Sequence, residues 1–524
     1  MQEIEKIIRT NLAKNLSFID SNLELIKEEY SLPNYYGSKG YIDILAKDSD
    51  NNYVIIEVKR SNQSARQALH EITKYHSLLQ QHFHVKNSEI RTIIISTEWA
   101  ELLVPFSEFK KDSQKCIDGY RLEIDDDYSL KNLTYIEPLK GEWTRNLSRG
   151  HHIFLYETDK LFGESIEKTK LLLPSFGIDD FIILKMKSKK EIPFPFALYL
   201  IHQRYDEERY LEIIKQKADN DADCEDVISN INYSEDEQEE YILYLEYLVL
   251  RELINGENKL RYDSLELGYP EKLQANLTRG WSIIDIVKYG FFETDLRLTN
   301  EMLIYEILGF DGNNQTFYIN QTSSKNKSKV LEIQKGIENF LRFNVTWKKH
   351  ISAILSKLNN NEIVNYRLGV SIFNTDNILE SIAGASYYNS EEYFPTYEIF
   401  IEDLDQNSIQ IYRGGISWNE KSIQLNRILN DFFRGDLFNF FLERQFGTIA
   451  NLDSKIMNYL GLTYISQLYE VKDDEMQCYD LNFDDGILKK ETENKKMFKD
   501  FIVKKDDFVK DVTNMYKIYS IGFL

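Results

Sequence analysis

The sequence predicts an α/β core, a mixed central sheet flanked by helices, followed by a larger α+β region. Three observations carry this expectation. Within the first hundred or so of the 524 residues, helical periodicity, two short apolar runs, a second helical stretch and a third apolar run follow one another, the pattern of a compact α/β unit. The two apolar runs, Tyr41-Ile-Asp-Ile-Leu-Ala-Lys47 and Tyr53-Val-Ile-Ile-Glu-Val-Lys59, are joined by Asp48-Ser-Asp-Asn-Asn52, so they read as a β-hairpin across a polar turn. Beyond about residue 140, helical and strand-like segments follow in a mixed order that reads as α+β.

Taken in order, residues 2–29 read as helical, with Ile4, Ile7, Ile8, Leu12, Leu16 and Ile19, then Leu23, Leu25 and Ile26, and a break near Asp20 to Asn22. Ser31 to Gly40 holds Pro33 and Gly37 and is expected to loop into the hairpin. Ser61 or Asn62 caps a helix running to about Gln81, whose stripe is Ala65, Ala68, Leu69, Ile72 and Leu79. Arg91 to Thr97 reads as a buried strand, and Asp118 to Pro138 as polar, strand-like pieces closing a first domain. Helices are expected over 194–217, 236–253, 330–343, 345–358 and 421–433. Strands are expected over 180–186, 364–373, 397–402 and 408–413, the last two as a hairpin around Asp405 to Asn407. The expected domains are 1–140, 141–265 with an acidic segment from Asp219 to Glu240, and 266–524, with a further division near 345. Asn146-Leu-Ser-Arg-Gly150 and Asn276-Leu-Thr-Arg-Gly280 echo one another and raise a duplication to be tested.

Composition narrows the function classes. No stretch of eighteen or more apolar residues occurs, so no membrane span is expected. Met1 to Lys6 is polar where a signal peptide would be apolar. Cys116, Cys224 and Cys478 are distant and odd in number, against a disulfide framework or a zinc ribbon. A cytoplasmic protein is the simplest expectation. The formal net charge is −22, yet residues 1–110 hold 13 Lys+Arg against 15 Asp+Glu, a net of −2. The acidity therefore lies mostly later, and it leaves room for a nucleic-acid substrate at the N-terminus while opposing tight nonspecific binding. No phosphate-binding Gly-rich loop and no Gly-x-Ser-x-Gly elbow is present.

The chemistry-bearing residues sit in the hairpin. If Lys47 faces Tyr53, antiparallel pairing sets Asp43 opposite Glu57, with Lys59 two residues on and on the same face. A Glu-x-Lys tripeptide is ordinary on a solvated face. Here it interrupts a run apolar enough for a central strand, and Asp43 interrupts the facing run. Charges placed there are costly unless paired or metal-bound. Two close carboxylates repel unless a hard divalent cation neutralises them, so Asp43 and Glu57 are a candidate metal site with Lys59 beside it. On the following helix Gln67, Glu71 and Tyr75 share a face at i, i+4 spacing and are expected to lean over it. His70, His76, His82 and His84 lack the His-x-x-x-His spacing of a zinc helix.

Gly40-x-Ile-Asp43-Ile-Leu, a polar turn, Val54-Ile-Ile-Glu57-Val-Lys59, then a helix and a strand resembles the PD-(D/E)xK nuclease core, in the style of NucS-like and RecB-like endonuclease domains. The resemblance covers about residues 3–100. It implies that Asp43 and Glu57 hold Mg²⁺, with Mn²⁺ able to substitute, that Lys59 assists hydrolysis, and that an N-terminal-helix glutamate, Glu5 rather than Glu3, completes the site. The subgroup often carries Gln-x-x-x-Tyr on the next helix; this chain has Glu71 where glutamine is usual, with Tyr75 in place. The expected function is a metal-dependent endonuclease acting on DNA, in prokaryotic defence or DNA repair. The C-terminal region would supply recognition, regulation or oligomerisation, and the expected assemblies are a homodimer, a higher oligomer or a complex with a partner protein. The alternatives are a non-cleaving nucleic-acid-binding or scaffold protein of the same fold, or an RNase.

Overall fold

A computed structural model describes residues 2–34, 37–60, 62–112, 116–139, 144–217, 238–255, 259–360, 362–421, 424–445, 448–472, 475–483, 487–491 and 494–519. The chain divides into two compact units, Met1–Trp143 and Thr144–Leu524. Most of the acidic segment, and the side chain of Gln67, lie outside the described residues.

The first unit is a six-stranded mixed sheet. Its elements are α1 (Gln2–Lys14), β1 (Glu24–Leu32), β2 (Gly40–Lys47), β3 (Tyr53–Lys59), α2 (Asn62–Phe83), β4 (Ile90–Ser96), α3 (Leu103–Asp112), β5 (Cys116–Ile124) and β6 (Leu130–Tyr135). The strand order is β1 to β6 in sequence. β3, β4 and β5 are mutually parallel, because α2 and α3 cross over between them, and the remaining pairs are antiparallel hairpins. Ile8 and Leu12 of α1 pack on Ile44, Ile56 and Ile93 on one face of the sheet. On the other, α2 sets Tyr75 and Leu79 against Leu45 and Ile55, while Ala68 and Ile72 meet Ile94 and α3's Phe106. β3, covered on both faces, therefore has the continuous apolar run its sequence shows. Gly119 of β5 is obligatory: a Cβ there would lie 2.4 Å from Trp99 and 2.9 Å from Phe106.

The helical reading of residues 23–29 is overturned. Glu24–Leu32 is a strand paired with β2 from Glu24↔Lys47 to Leu32↔Gly40. Its apolar residues Leu25 and Ile26 stand largely exposed, as an edge strand permits. Three apolar residues in four positions cannot separate helix from strand by period alone.

In the second unit a five-stranded antiparallel sheet, order β10-β7-β9-β8-β11, comprises β7 (His151–Tyr156), β8 (Phe181–Ser188), β9 (Phe196–His202), β10 (Ser264–Gly268) and β11 (Trp281–Tyr289). It runs past the division expected near 265. Residues 196–202, read as the start of a helix, are its central strand, and the helix begins only at Glu207. The run Phe-Ala-Leu-Tyr-Leu-Ile-His is buried along nearly its whole length, the ambiguous case for periodicity. The second sheet, strands from Phe317 to Met497, is an antiparallel meander and spans the division expected near 345. Thr396–Asp403 pairs with Ser408–Trp418 around the expected turn. The echo is not a duplication: Leu147 forms an extended bridge to Gln203, whereas Asn276 lies in helix Pro270–Thr278.

Two acids beside this second sheet, Asp453 in helix Ala450–Leu460 and the half-buried Asp376 just after strand Tyr366–Phe373, have a measurable consequence. Asp453 accepts hydrogen bonds from the Ile378 N–H at 2.6 Å and the Tyr464 hydroxyl at 3.2 Å, and burial pushes its carboxyl up to about 6. Burial, aided by Asp453, pushes Asp376 up to about 7. Folded values above the unfolded ones mean that this contribution to stability is whole below about pH 4 and is lost as pH rises through both folded values. The melting temperature of the second unit is expected to fall between about pH 4.5 and pH 7.5 on this account. Asp376→Asn, which keeps a residue type tolerant of the left-handed backbone at φ 49, should remove most of that fall and stabilise by about 2 kcal/mol at neutral pH. A calorimetric melt in which the variant unfolds below wild type at neutral pH contradicts the assignment.

Candidate active site

The hairpin register is Lys47↔Tyr53, Ala46↔Val54, Leu45↔Ile55 and Ile44↔Ile56. Asp48 builds the turn, its carboxylate accepting from the N–H groups of Asp50 and Asn52 at 3.0 and 2.9 Å, and Asn51 takes the left-handed φ of 64°. The ladder stops at Ile44↔Ile56, one step short of Asp43 and Glu57, and side chains take over. Asp43 Oδ2 accepts from the Val58 N–H at 2.9 Å, and Glu57 Oε1 accepts from the Asp43 N–H at 3.4 Å. The strands part where the two acids meet, which opens a polar point between β2 and β3.

Lys59 closes that point. Its Nζ lies 3.0 Å from Glu57 Oε2, 2.8 Å from Glu71 Oε2 and 4.0 Å from Asp43 Oδ2. Glu57 is 1% and Lys59 8% exposed, so this ammonium and its first carboxylate are effectively out of water. Glu71 is brought in by α2, and Tyr75, one turn on, is buried beside it within the electrostatic reach of Glu57 and Glu71. The Glu71/Tyr75 face of α2 thus does lean over the Glu57/Lys59 strand. Glu5 on α1 faces the same point, in electrostatic reach of Lys59, Asp43 and Glu71.

Charge is out of balance here. Burial, then the neighbouring Asp43, pushes Glu57 well above the usual carboxylate range. Burial likewise raises Glu5, with Lys59 opposing and Asp43 and Glu71 adding to the rise. Burial works against the Lys59 charge, but Glu57, Asp43 and Glu71 together outweigh it and hold the ammonium above its ordinary value. Burial also raises the Tyr75 phenol, which therefore stays neutral. Four carboxylates face Lys59 and one further cation, Arg9, which reading the sequence did not find. Arg9 is 9% exposed; it reaches Asp43 Oδ1 at 3.4 Å, Glu28 Oε1 at 3.2 Å and Glu29 Oε1 at 2.8 Å. Thr10 donates to the same Glu28 oxygen at 2.6 Å. The available signal was Glu5 and Arg9 at i, i+4 on one helix face; its partner Glu28 was hidden by the mistaken helix.

The donor set fits a hard divalent cation. Asp43 and Glu57 offer oxygens only, they repel one another, and the surplus negative charge is what such an ion neutralises. Among the described residues no three Asp, Glu, His or Cys groups already stand in ligating positions. Mg²⁺ commonly needs only one or two carboxylates, the rest of its shell coming from water and phosphate. Of the histidines, His76 bonds to the Thr92 hydroxyl at 2.7 Å and His82 to the Pro33 carbonyl at 2.8 Å, both structural contacts.

No helix among the described residues is long and apolar enough to cross a membrane. No curated protein and no solved structure matches the chain. Residues 4–102 do match the family model described as the endonuclease NucS C-terminal domain, and this stretch contains Glu5, Asp43, Glu57, Lys59, Glu71 and Tyr75. The N-terminal unit thus carries a NucS-like endonuclease domain.

Proposed function

We propose that the chain is a Mg²⁺-dependent endonuclease hydrolysing phosphodiester bonds in DNA, with Mn²⁺ able to substitute, and that residues 144–524 restrain or direct it. The reading rests on one observation: Asp43, Glu57 and Lys59 converge where the hairpin opens, inside a domain that matches a nuclease family. Asp43 and Glu57 would hold the metal, with Glu5 behind them. When bound, the cation supplies charge neutralisation and water activation at the phosphate. Lys59, fixed by Glu57 and Glu71, is placed to donate to the attacking water or to a phosphoryl oxygen as charge develops on it. Glu71 sets the direction of that ammonium, and Tyr75 packs the helix that carries it. Arg9 and the Val58 N–H hold the two oxygens of Asp43 in place. Asparagine/isoleucine/lysine-rich composition associates the chain with prokaryotic defence or repair, and a second copy would let it cut both strands.

The test is cleavage of supercoiled plasmid, single-stranded DNA and RNA in Mg²⁺, Mn²⁺ or EDTA. DNA cutting that needs metal and falls about 1,000-fold in Asp43→Asn is expected. Full activity in EDTA or in that variant sinks the assignment. Exclusive cutting of RNA would make the protein a ribonuclease.

A further inference from the structure

A second feature lies beside this site and the mechanism above does not use it. At the C-terminal end of β4, Thr97, Glu98, Trp99, Ala100, Leu103 and Arg121 line an open cleft of about 370 Å³, within the size range of small-ligand pockets. Its apolar lining is Trp99, Ala100 and Leu103. Trp99 is buried, its indole N–H donates to the carbonyls of Ser96 and Tyr120 at 3.2 and 3.1 Å, and its ring lies over Gly119 where no larger residue fits.

The cleft adjoins the catalytic strand. Thr97 N–H donates to the Lys59 carbonyl at 3.3 Å, and Lys59, Ser96 and Arg121 are in register across β3, β4 and β5. Two strand spacings, about 10 Å, separate the backbone of Lys59 from that of Arg121. Glu98 and Arg121 are both exposed. Both line the cleft, yet no ion pair joins them, and Arg121 has none with any other described residue. An anion-seeking and a donor-seeking group, both open to solvent, thus stand side by side without pairing to each other, beside an apolar lining. A nucleotide answers both at once, with phosphate to the guanidinium, the base edge to the carboxylate and the base face to that lining.

We infer that this cleft is a nucleotide subsite next to the scissile phosphate, in which Arg121 holds a flanking phosphate and Glu98 selects an amino-bearing base, cytosine foremost. The inference rests on the nuclease reading and adds base selection to it. Thymine offers Glu98 a carbonyl oxygen where cytosine offers an N–H donor, so repulsion supplies the discrimination.

The test uses the full chain with Mg²⁺ and a random-sequence single-stranded DNA library, mapping every cut. Cytosine is expected over thymine by about tenfold at one fixed position beside the cut, and Glu98→Ala should erase that preference while cutting persists. Arg121→Ala should raise KM about tenfold with kcat kept, and lower the salt slope of binding by about one. Ala100→Phe, at an exposed position, should fill the cleft and weaken binding comparably. Melting curves check that each variant is folded. Cutting with no base preference near the cut, or one that Glu98→Ala leaves intact, overturns the subsite while leaving the nuclease standing. A wild type that cuts no nucleic acid with metal supplied overturns both. Inhibition by free cytidine monophosphate at the affinity of the strand would make the cleft an effector site and overturn the assignment.

Discussion

Glu57→Gln is expected to lower metal-dependent cleavage at least about 1,000-fold and, in chelator, to raise the stability of the N-terminal unit by about 1–2 kcal/mol. The two effects share a cause. Glu57 is 1% exposed and crowded by Asp43, so its charge is a burden on the metal-free fold. The amide is nearly isosteric and can still accept from the Asp43 N–H. It leaves Lys59 paired with Glu71 at 2.8 Å. What it removes is the charge that a divalent cation requires. Calorimetric titration with Mg²⁺ should show binding to wild type and little to the variant, and melts in EDTA should place the variant above wild type. A variant that melts lower in EDTA and still binds Mg²⁺ as wild type does would show that Glu57 is an ordinary partner of Lys59 and no metal ligand. The same pair of measurements on Asp43→Asn separates the two carboxylates. Asp43 is less enclosed and takes the Arg9 guanidinium at 3.4 Å, so its loss should weaken metal binding without the gain in stability.

How much of this was legible depends on the range over which the determining forces act. The hairpin register followed from local chemistry, an Asp48 turn between two apolar runs, and it was read to the residue at Lys47↔Tyr53. The buried charge on β3 was legible because its neighbours are so apolar. Helix α2, with Glu71 and Tyr75 one turn apart, followed from its period. Glu24–Leu32 was misread because an edge strand need not alternate cleanly, and with it went Glu28 and the Arg9 network, which couples residues 19 positions apart. Phe196–His202 was misread because full burial erases the polar alternation that marks a strand. The cleft at Trp99 needed the β4–β5 register and the packing of Trp99 on Gly119, and neither leaves a pattern within one segment.

Lys59→Met tests the other half of the charge balance. The ammonium lies among Glu57, Glu71 and Asp43 at 3.0, 2.8 and 4.0 Å and is 8% exposed. An apolar side chain of similar length keeps the packing and strands a buried carboxylate, so the N-terminal unit should lose about 3 kcal/mol in EDTA. Cleavage should fall about 100- to 1,000-fold, the usual loss for a donor aimed at developing charge. Added Mg²⁺ should narrow the stability gap, because a divalent cation between Asp43 and Glu57 would take over neutralisation of Glu57 that Lys59 provides in its absence. Urea unfolding in EDTA and in Mg²⁺ reads both quantities. Equal midpoints for variant and wild type in EDTA would mean that Glu57 folds as a neutral acid and that Lys59 is no structural counter-ion. A gap of the same size in both buffers would place the metal away from these carboxylates. Only a gap that closes with Mg²⁺ fits a lysine and a metal dividing the same charge.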